Sequence, residues 1–136
     1  MSRPAPDGPE AWLARARSDL ALARLALNAA DVLPADACFH AQQCAEKALE
    51  ALLVHLAVPF PPTHVLELLL DLADAEDSDL PVSVEDIVRL TQYAVETRYP
   101  GAWEPVDNDE ARLAVAHAAR ILHWAEDQVS TDPPAT

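Results

Sequence analysis

Apolar residues recur along most of the chain at spacings of three and four, which is the period of an α-helix. The pattern predicts four long helices and one short helix, over residues 9–30, 34–56, 64–73, 83–99 and 108–129. We find no stretch with the alternation of a strand. Short links between long helices favour antiparallel neighbours, so the chain is predicted to fold as an all-α, up-and-down bundle of four to five helices.

Prolines and polar residues mark the predicted helix ends. The segment Val58–Pro62 contains three prolines and is therefore predicted to be a stiff, non-helical connector. Thr63 has the residue type of an N-cap for the short helix. Asp107, followed three residues later by Glu110, has the form of a capping box for the last helix. We expect two disordered tails around one helical domain, with boundaries at residues 1–8, 9–129 and 130–136.

The second predicted helix has an apolar arc on one side and polar residues on another. The arc consists of Ala41, Ala45, Ala48, Leu49, Leu52 and Leu56. At about 100° per residue, His40, Gln43 and Lys47 lie within about 60° of one another, and we call these three residues the polar seam. Glu46 and Glu50 fall on a different stripe, where long charged side chains are expected to face solvent. We therefore predict that this helix is the central one.

The fourth helix is predicted to turn one apolar stripe towards the core. The stripe consists of Val84, Ile87, Val88, Thr91, Ala94 and Val95. Its continuation by one turn leads to Arg98, just before Tyr99 and the helix-ending Pro100. This register predicts a guanidinium group at the end of a core-facing row.

The charge balance limits the classes of partner. The chain has nine basic and twenty-three acidic residues, a formal net charge of −14. Long-range attraction to nucleic acid is therefore excluded, and any phosphate contact has to come from a local group of basic residues. Lys47 is the only lysine in the chain, and it lies in the polar seam rather than among the other charged residues.

The remaining composition favours a cytoplasmic protein. No apolar run approaches the roughly 20 residues that cross a bilayer, and the N-terminus lacks the apolar segment of a secretory leader. Cys38 and Cys44 are about 9 Å apart by helical rise, too far for a disulfide. We expect buried thiols in a reducing compartment, with no metal and no cofactor. His40 and Cys44 alone would make only half of a metal site.

Four segments together resemble the HEPN family of small helical domains. They read AWLARARSDLALARLAL, FHAQQCAEKALEALL, PPTH and LTQYAVETRYPG, and the resemblance spans about residues 11–129. It implies a four- to five-helix bundle, commonly a homodimer, often encoded beside a minimal nucleotidyltransferase. Relatives include ribonuclease toxins and domains thought to bind nucleotides.

The resemblance also implies where catalytic residues would lie. Ribonuclease members carry an Arg followed four to six residues later by His, near the dimer interface. The matching Arg is Arg98, but positions 103 to 105 are Trp, Glu and Pro, so the motif is broken. Arg112 and His117 have the literal spacing, yet about 140° separates them on a helix and they lie outside the matching segment. We interpret that pair as a coincidence, and the broken motif is the main argument from the sequence against ribonuclease activity.

A composite site is the resulting hypothesis. In this site His40 would transfer a proton and Arg98 would bind a phosphate. Supporting contacts with the nucleotide or RNA would come from Gln43, Lys47, Tyr99 and His64. The alternatives are structural. Arg98 could interact with helix carbonyls or an acidic neighbour, His40 and Gln43 could satisfy buried polar groups, and Lys47 could pair with a glutamate of its own helix.

Three functions are compatible with the sequence. The preferred one is the helical component of a two-protein toxin–antitoxin or nucleotidyltransferase module, a HEPN-like homodimer with nucleotide or RNA contacts centred on Arg98. In such a module, Tyr93 or Tyr99 could accept a nucleotide. The alternatives are a metal-independent endoribonuclease toxin and a purely structural helical dimer.

Overall fold

The computed structural model describes residues 8–74, 80–96 and 105–131. Within these ranges the chain forms five helices and no strand, which confirms the all-α prediction. They are α1 (Pro9–Asn28), α2 (Pro34–His55), α3 (Leu66–Leu72), α4 (Val84–Glu96) and α5 (Asn108–Ser130). Most of the predicted tails, and the last predicted turn of α4, lie outside the described residues.

The helix ends follow local residue chemistry. Proline occupies the start of both α1 and α2, where a missing N–H costs no helical hydrogen bond. The Asp107 side chain accepts a hydrogen bond of 2.7 Å from the Glu110 backbone N–H and so caps α5, as predicted. These ends set the direction in which each helix enters the bundle.

The end of α2 turns the chain sharply into the proline connector. Ala57 has a positive φ of 58°. Its N–H donates to the Val54 carbonyl and the Val58 N–H donates to the Leu53 carbonyl, at 3.1 and 2.9 Å. This is the Schellman arrangement, in which a left-handed residue satisfies the last carbonyl groups of a helix. The connector is held against α1 by an edge-to-face contact of Phe60 with Trp12, with ring centroids 5.9 Å apart.

The start of α3 differs from the prediction. The helix begins at Leu66, and the Thr63 hydroxyl accepts a hydrogen bond from the Val65 N–H instead of capping the helix. The Leu66 N–H is satisfied from another helix, because the hydroxyl of Thr91 on α4 accepts it at 3.0 Å. Thr91 also donates to the Glu67 carboxylate at 2.6 Å. A tertiary contact between α3 and α4 therefore replaces the predicted local cap.

Helix α2 is central, as predicted, and packs against all four other helices. Its predicted apolar arc is buried apart from Leu56 at the C-cap, which is partly exposed. The expectation that Glu46 and Glu50 face solvent is wrong, because both are buried. The part-exposed stripe of α2 is the polar seam, so these two carboxylates lie on the sides of the helix that its neighbours cover.

Helix α4 is rotated relative to the prediction. Its buried residues are Ile87, Leu90, Tyr93 and Ala94. Val84, Val88 and Val95 were predicted to face the core, but they are 62%, 36% and 58% exposed. Together with Thr91 they lie within about 60° on the helix. We call these four residues the valine stripe.

The core contains many alanines and both cysteines. Ala16, Ala23, Ala41, Ala45 and Ala118 are fully inaccessible and allow the helices to approach closely. Cys38 and Cys44 are free and buried, as predicted. Burial raises the pKa of each thiol to about 12, so neither is a reactive thiolate. In the described ranges, no helix is long and apolar enough to cross a membrane.

Candidate functional site

Two residues of the polar seam meet at one buried carboxylate. Asp19 on α1 accepts a hydrogen bond from the Lys47 ammonium through Oδ2, at 2.6 Å. Its other oxygen, Oδ1, lies 3.2 Å from the Nδ1 of His40. His40 and Lys47 are seven residues apart on α2, so a single residue of α1 contacts two successive turns of that helix.

This arrangement decides what the seam can do chemically. The charge of Lys47 is compensated by Asp19 in a part-buried pair, so the ammonium is not a free cation for a phosphate. His40 is different, because Asp19 occupies only its Nδ1 and a third of the side chain, 32%, is exposed. An imidazole oriented through Nδ1 by a carboxylate keeps its Nε2 for proton transfer.

Asp19 was missed by the sequence analysis, although a signal for it exists. It lies on α1 between Ala16, Leu20 and Ala23, which are all buried. A carboxylate at a core-facing position requires a cationic or hydrogen-bonding partner. The only lysine of the chain, on the adjacent helix, was the obvious candidate.

Gln43 belongs to a second cluster, which we call the Glu46 network. Its amide donates to the fully buried Gln42 at 2.7 Å. Gln42 donates in turn to the His64 backbone carbonyl at 3.0 Å and to Glu46 Oε1 at 3.3 Å. The His64 Nδ1 lies 2.7 Å from the same oxygen of Glu46. His64 is therefore fastened to α2 through Glu46 and not through the polar seam.

Glu50 continues this face of α2 by one turn. Burial and the negative charge of Glu46 together raise the pKa of its carboxyl group to about 7, although Lys47 opposes the shift. The interior next to the Glu46 network therefore holds a carboxyl group that titrates near neutral pH.

The remaining predicted site residues have different outcomes. Arg98 and Tyr99 lie outside the described residues, so their convergence with the seam stays a prediction. Arg112 is exposed and pairs with Asp109 at 3.0 Å, whereas His117 is buried with its Nε2 3.5 Å from Asp86. The two residues of the literal Arg-x4-His spacing therefore have separate partners. Among the described residues, no group of three His, Cys, Asp or Glu side chains could hold a metal ion.

A third polar cluster lies between α4 and α5. Glu110 accepts from the Arg89 guanidinium at 2.6 Å and from the Tyr93 hydroxyl. The guanidinium also lies over the Tyr93 ring, 5.2 Å from its centroid. Burial and the bond to Glu110 raise the pKa of Tyr93, and Tyr93 is buried. These contacts argue against Tyr93 as an acceptor of a nucleotide.

From the sequence, Glu110 was expected only to take part in capping α5. Its side chain instead fastens the first turn of α5 to two residues of α4. Arg89 and Tyr93 are four residues apart and so share a helix face, which was the available signal. The identity of the shared partner depends on how the two helices pack.

The fold and these clusters define an all-α bundle with a polar interior around its second helix. Comparison with known proteins identifies the family. The family model of the HEPN domain matches residues 9–128, and the chain therefore belongs to the HEPN family. The crystal structure of ST0689, described as an archaeal HEPN homologue, is similar with a TM-score of 0.71 and 27% sequence identity. The similarity covers 90% of this chain and 98% of that one. No curated protein matches the chain.

Proposed function

We propose that this HEPN-family chain is the helical component of a two-protein toxin–antitoxin or nucleotidyltransferase module. It acts as a homodimer and contacts a nucleotide or RNA close to the dimer interface. The observation that carries the proposal is the valine stripe, an exposed apolar face on the helix that leads to Arg98. The nucleotidyltransferase partner rests on the family association that the sequence resemblance implies.

The valine stripe has the properties of an interaction surface. Val84, Val88 and Val95 are exposed on one side of α4, and no charged residue belongs to the stripe. Val65 and Leu68, next to and within α3, are also partly exposed, and Thr91 fastens α3 to α4. A contiguous exposed apolar face on a soluble domain is typical of a binding surface.

A second copy of the chain is the occupant that the charges favour. Two copies with a net charge of −14 each repel one another at long range. A stable contact between them therefore requires an uncharged, desolvated centre. The valine stripe meets this requirement, and a two-fold axis would place α4 of one copy against α4 of the other.

Arg98 connects the proposed dimer to ligand binding. It follows Val95 by three residues, so a continuing helix would place it at the end of the valine stripe. A guanidinium can hold a phosphate through two parallel hydrogen bonds. His40, Gln43, Tyr99 and His64 are supporting candidates, whereas the pairing of Lys47 with Asp19 reduces its value as a phosphate ligand.

The first test concerns the dimer. The double substitution Val88→Glu and Val95→Glu is expected to convert a dimer of twice 14.7 kDa into a monomer, because it adds four carboxylates to the interface. Light scattering after size-exclusion chromatography measures the mass. Leu25→Glu is the control, since this leucine of α1 is 67% exposed and lies outside the stripe. A monomeric wild type, or a double variant that remains a dimer with the wild-type helix content, would contradict the proposal.

The second test concerns ligand binding and cleavage. Arg98→Ala is expected to weaken binding of ATP or a structured RNA at least about tenfold, through loss of a charge-assisted phosphate contact. Arg120→Ala is the matched control, because Arg120 is exposed on α5. Equal affinity of the Arg98 and Arg120 variants would remove Arg98 from the site.

A ribonuclease is the second candidate, and the Asp19–His40 contact favours it. An imidazole that is oriented through Nδ1 by a carboxylate, and whose Nε2 has no partner among the described residues, is suited to move a proton during RNA cleavage. In the same samples, His40→Ala would then abolish cleavage while His123→Ala, at an exposed position of α5, would not. Undiminished cleavage by the His40 variant excludes this histidine from any mechanism.

A further inference from the structure

A half-open groove runs between α4 and α5 on a face that the proposed dimer does not use. Its cavity volume is about 310 Å³. The residues that line the groove include Asp86, Arg89, Tyr93, Glu110, Leu113 and His117. Small-molecule sites commonly begin at roughly 300 Å³, so the groove is large enough for one compact ring system.

One end of the groove holds a guanidinium group in a defined plane. The Arg89 Nη1 donates to Gln92 at 2.9 Å, and Nη2 donates to Glu110 at 2.6 Å. The Arg89 Cζ lies over the Tyr93 ring, 5.2 Å from the ring centroid. A guanidinium held in this way presents a flat surface on which a planar ring can stack.

The other end combines a carboxylate with an imidazole. The His117 Nε2 lies 3.5 Å from Asp86 Oδ2, and the His117 side chain is only 9% exposed. Asp86 also accepts a hydrogen bond from Ser83 at the start of α4. The Asp86 carboxylate, a hydrogen-bond acceptor, and a ring nitrogen of His117 thus lie next to each other. The half-exposed Leu113 forms an apolar wall of the groove.

The charges of the groove restrict the ligand class. Two carboxylates, Asp86 and Glu110, face one guanidinium and one imidazole in a chain with a net charge of −14. A phosphate group would be repelled here. A neutral planar heterocycle with adjacent N–H and C=O groups would instead find both acceptors and donors, as nucleobases do.

We propose that the α4–α5 groove binds the base of a nucleoside, nucleotide or RNA strand. The base stacks on Arg89, and its edge forms hydrogen bonds with Asp86 and His117. This inference rests on the proposed function and adds a base contact on the face of α4 away from the valine stripe, separate from the phosphate contact proposed for Arg98. Free nucleotides and unpaired RNA bases share this chemistry.

The test is calorimetric titration of the full chain with adenosine, guanosine, ATP and a short single-stranded RNA. At least one nucleoside is expected to bind saturably and to compete with either ATP or the RNA, which identifies the source of the base. Leu113→Trp, which fills the groove from its wall, is expected to weaken nucleoside binding at least about tenfold. Leu25→Trp makes the same change at an exposed site of α1 and is expected to leave the affinity unchanged.

The outcomes separate the two proposals. ATP or RNA binding that depends on Arg98, with no nucleoside binding, overturns the base site and leaves the proposed function intact. Nucleoside binding that is equal in the Leu113→Trp and Leu25→Trp variants also overturns the base site. Failure of every ligand to bind overturns both proposals. Circular dichroism of each variant confirms that a lost signal is not a loss of folding.

Discussion

Replacement of Asp19 by alanine is expected to lower the free energy of unfolding by about 3 kcal/mol, or the melting temperature by about 10 °C. The reason is the ammonium group that the substitution leaves behind. Lys47 has a side chain only 22% exposed and donates to Asp19 at 2.6 Å. Without the carboxylate, the part-buried ammonium loses the counter-charge to which it is hydrogen-bonded, and His40 loses its contact with Asp19 as well. Urea denaturation at neutral pH measures the loss.

Two controls isolate the ion pair. Asp31→Ala removes a carboxylate from the exposed turn between α1 and α2 and is expected to change stability by less than about 0.5 kcal/mol. The double variant Asp19→Leu and Lys47→Leu removes both charges and is expected to recover part of the loss. Equal effects of Asp19→Ala and Asp31→Ala would show that the pair does not stabilise the packing of α1 on α2.

Glu50→Gln is expected to stabilise the protein at pH 8 by about 3 kcal/mol and to have little effect at pH 4. The pKa of Glu50 is raised from 4.5 to about 7 by burial and by the charge of Glu46. Below pH 4.5 the carboxyl group is protonated in both the folded and unfolded states. Between pH 4.5 and 7 the unfolded chain loses this proton while the folded chain keeps it, so wild-type stability falls as the pH rises. Above pH 7 both states are ionised and the difference is constant.

The measurement is urea denaturation of wild type and variant at pH 4, 6 and 8. Only the difference between the two proteins is interpreted, because other carboxylates titrate in the same range. Glu85→Gln, at an exposed position in the first turn of α4, is the matched control and is expected to give a nearly flat difference. A flat difference for Glu50→Gln as well would mean that ionised Glu50 is accommodated without cost.

The helices could be predicted from the sequence because their causes are local. The spacing of apolar residues and the prolines at the start of α1 and α2 specify where these helices lie. The orientation of α4 could not be predicted in the same way. Both Ile87 and Val88 lie on apolar sides of this helix, and only packing against the other helices decides that Ile87 is buried and Val88 is not.

The polar interior was predictable in part. Helical spacing placed His40 and Lys47 on one side of α2, and the structure brings them to the same carboxylate. The partner itself, Asp19, lies 28 residues before Lys47, and pairing between helices has no signature within either helix. The burial of Glu46 and Glu50 was missed for a related reason. A glutamate on a helix is normally solvated, and only the enclosure of α2 by four neighbours makes these two interior.

The most direct test of the proposed dimer with its nucleic-acid contact is sedimentation velocity of the wild type with a fluorescently labelled structured RNA. We expect the labelled RNA to sediment with a protein dimer, at twice 14.7 kDa plus the mass of the RNA, and the Arg98→Ala variant to remain a dimer that does not bind the label. Protein sedimenting at 14.7 kDa beside free RNA would contradict the proposal.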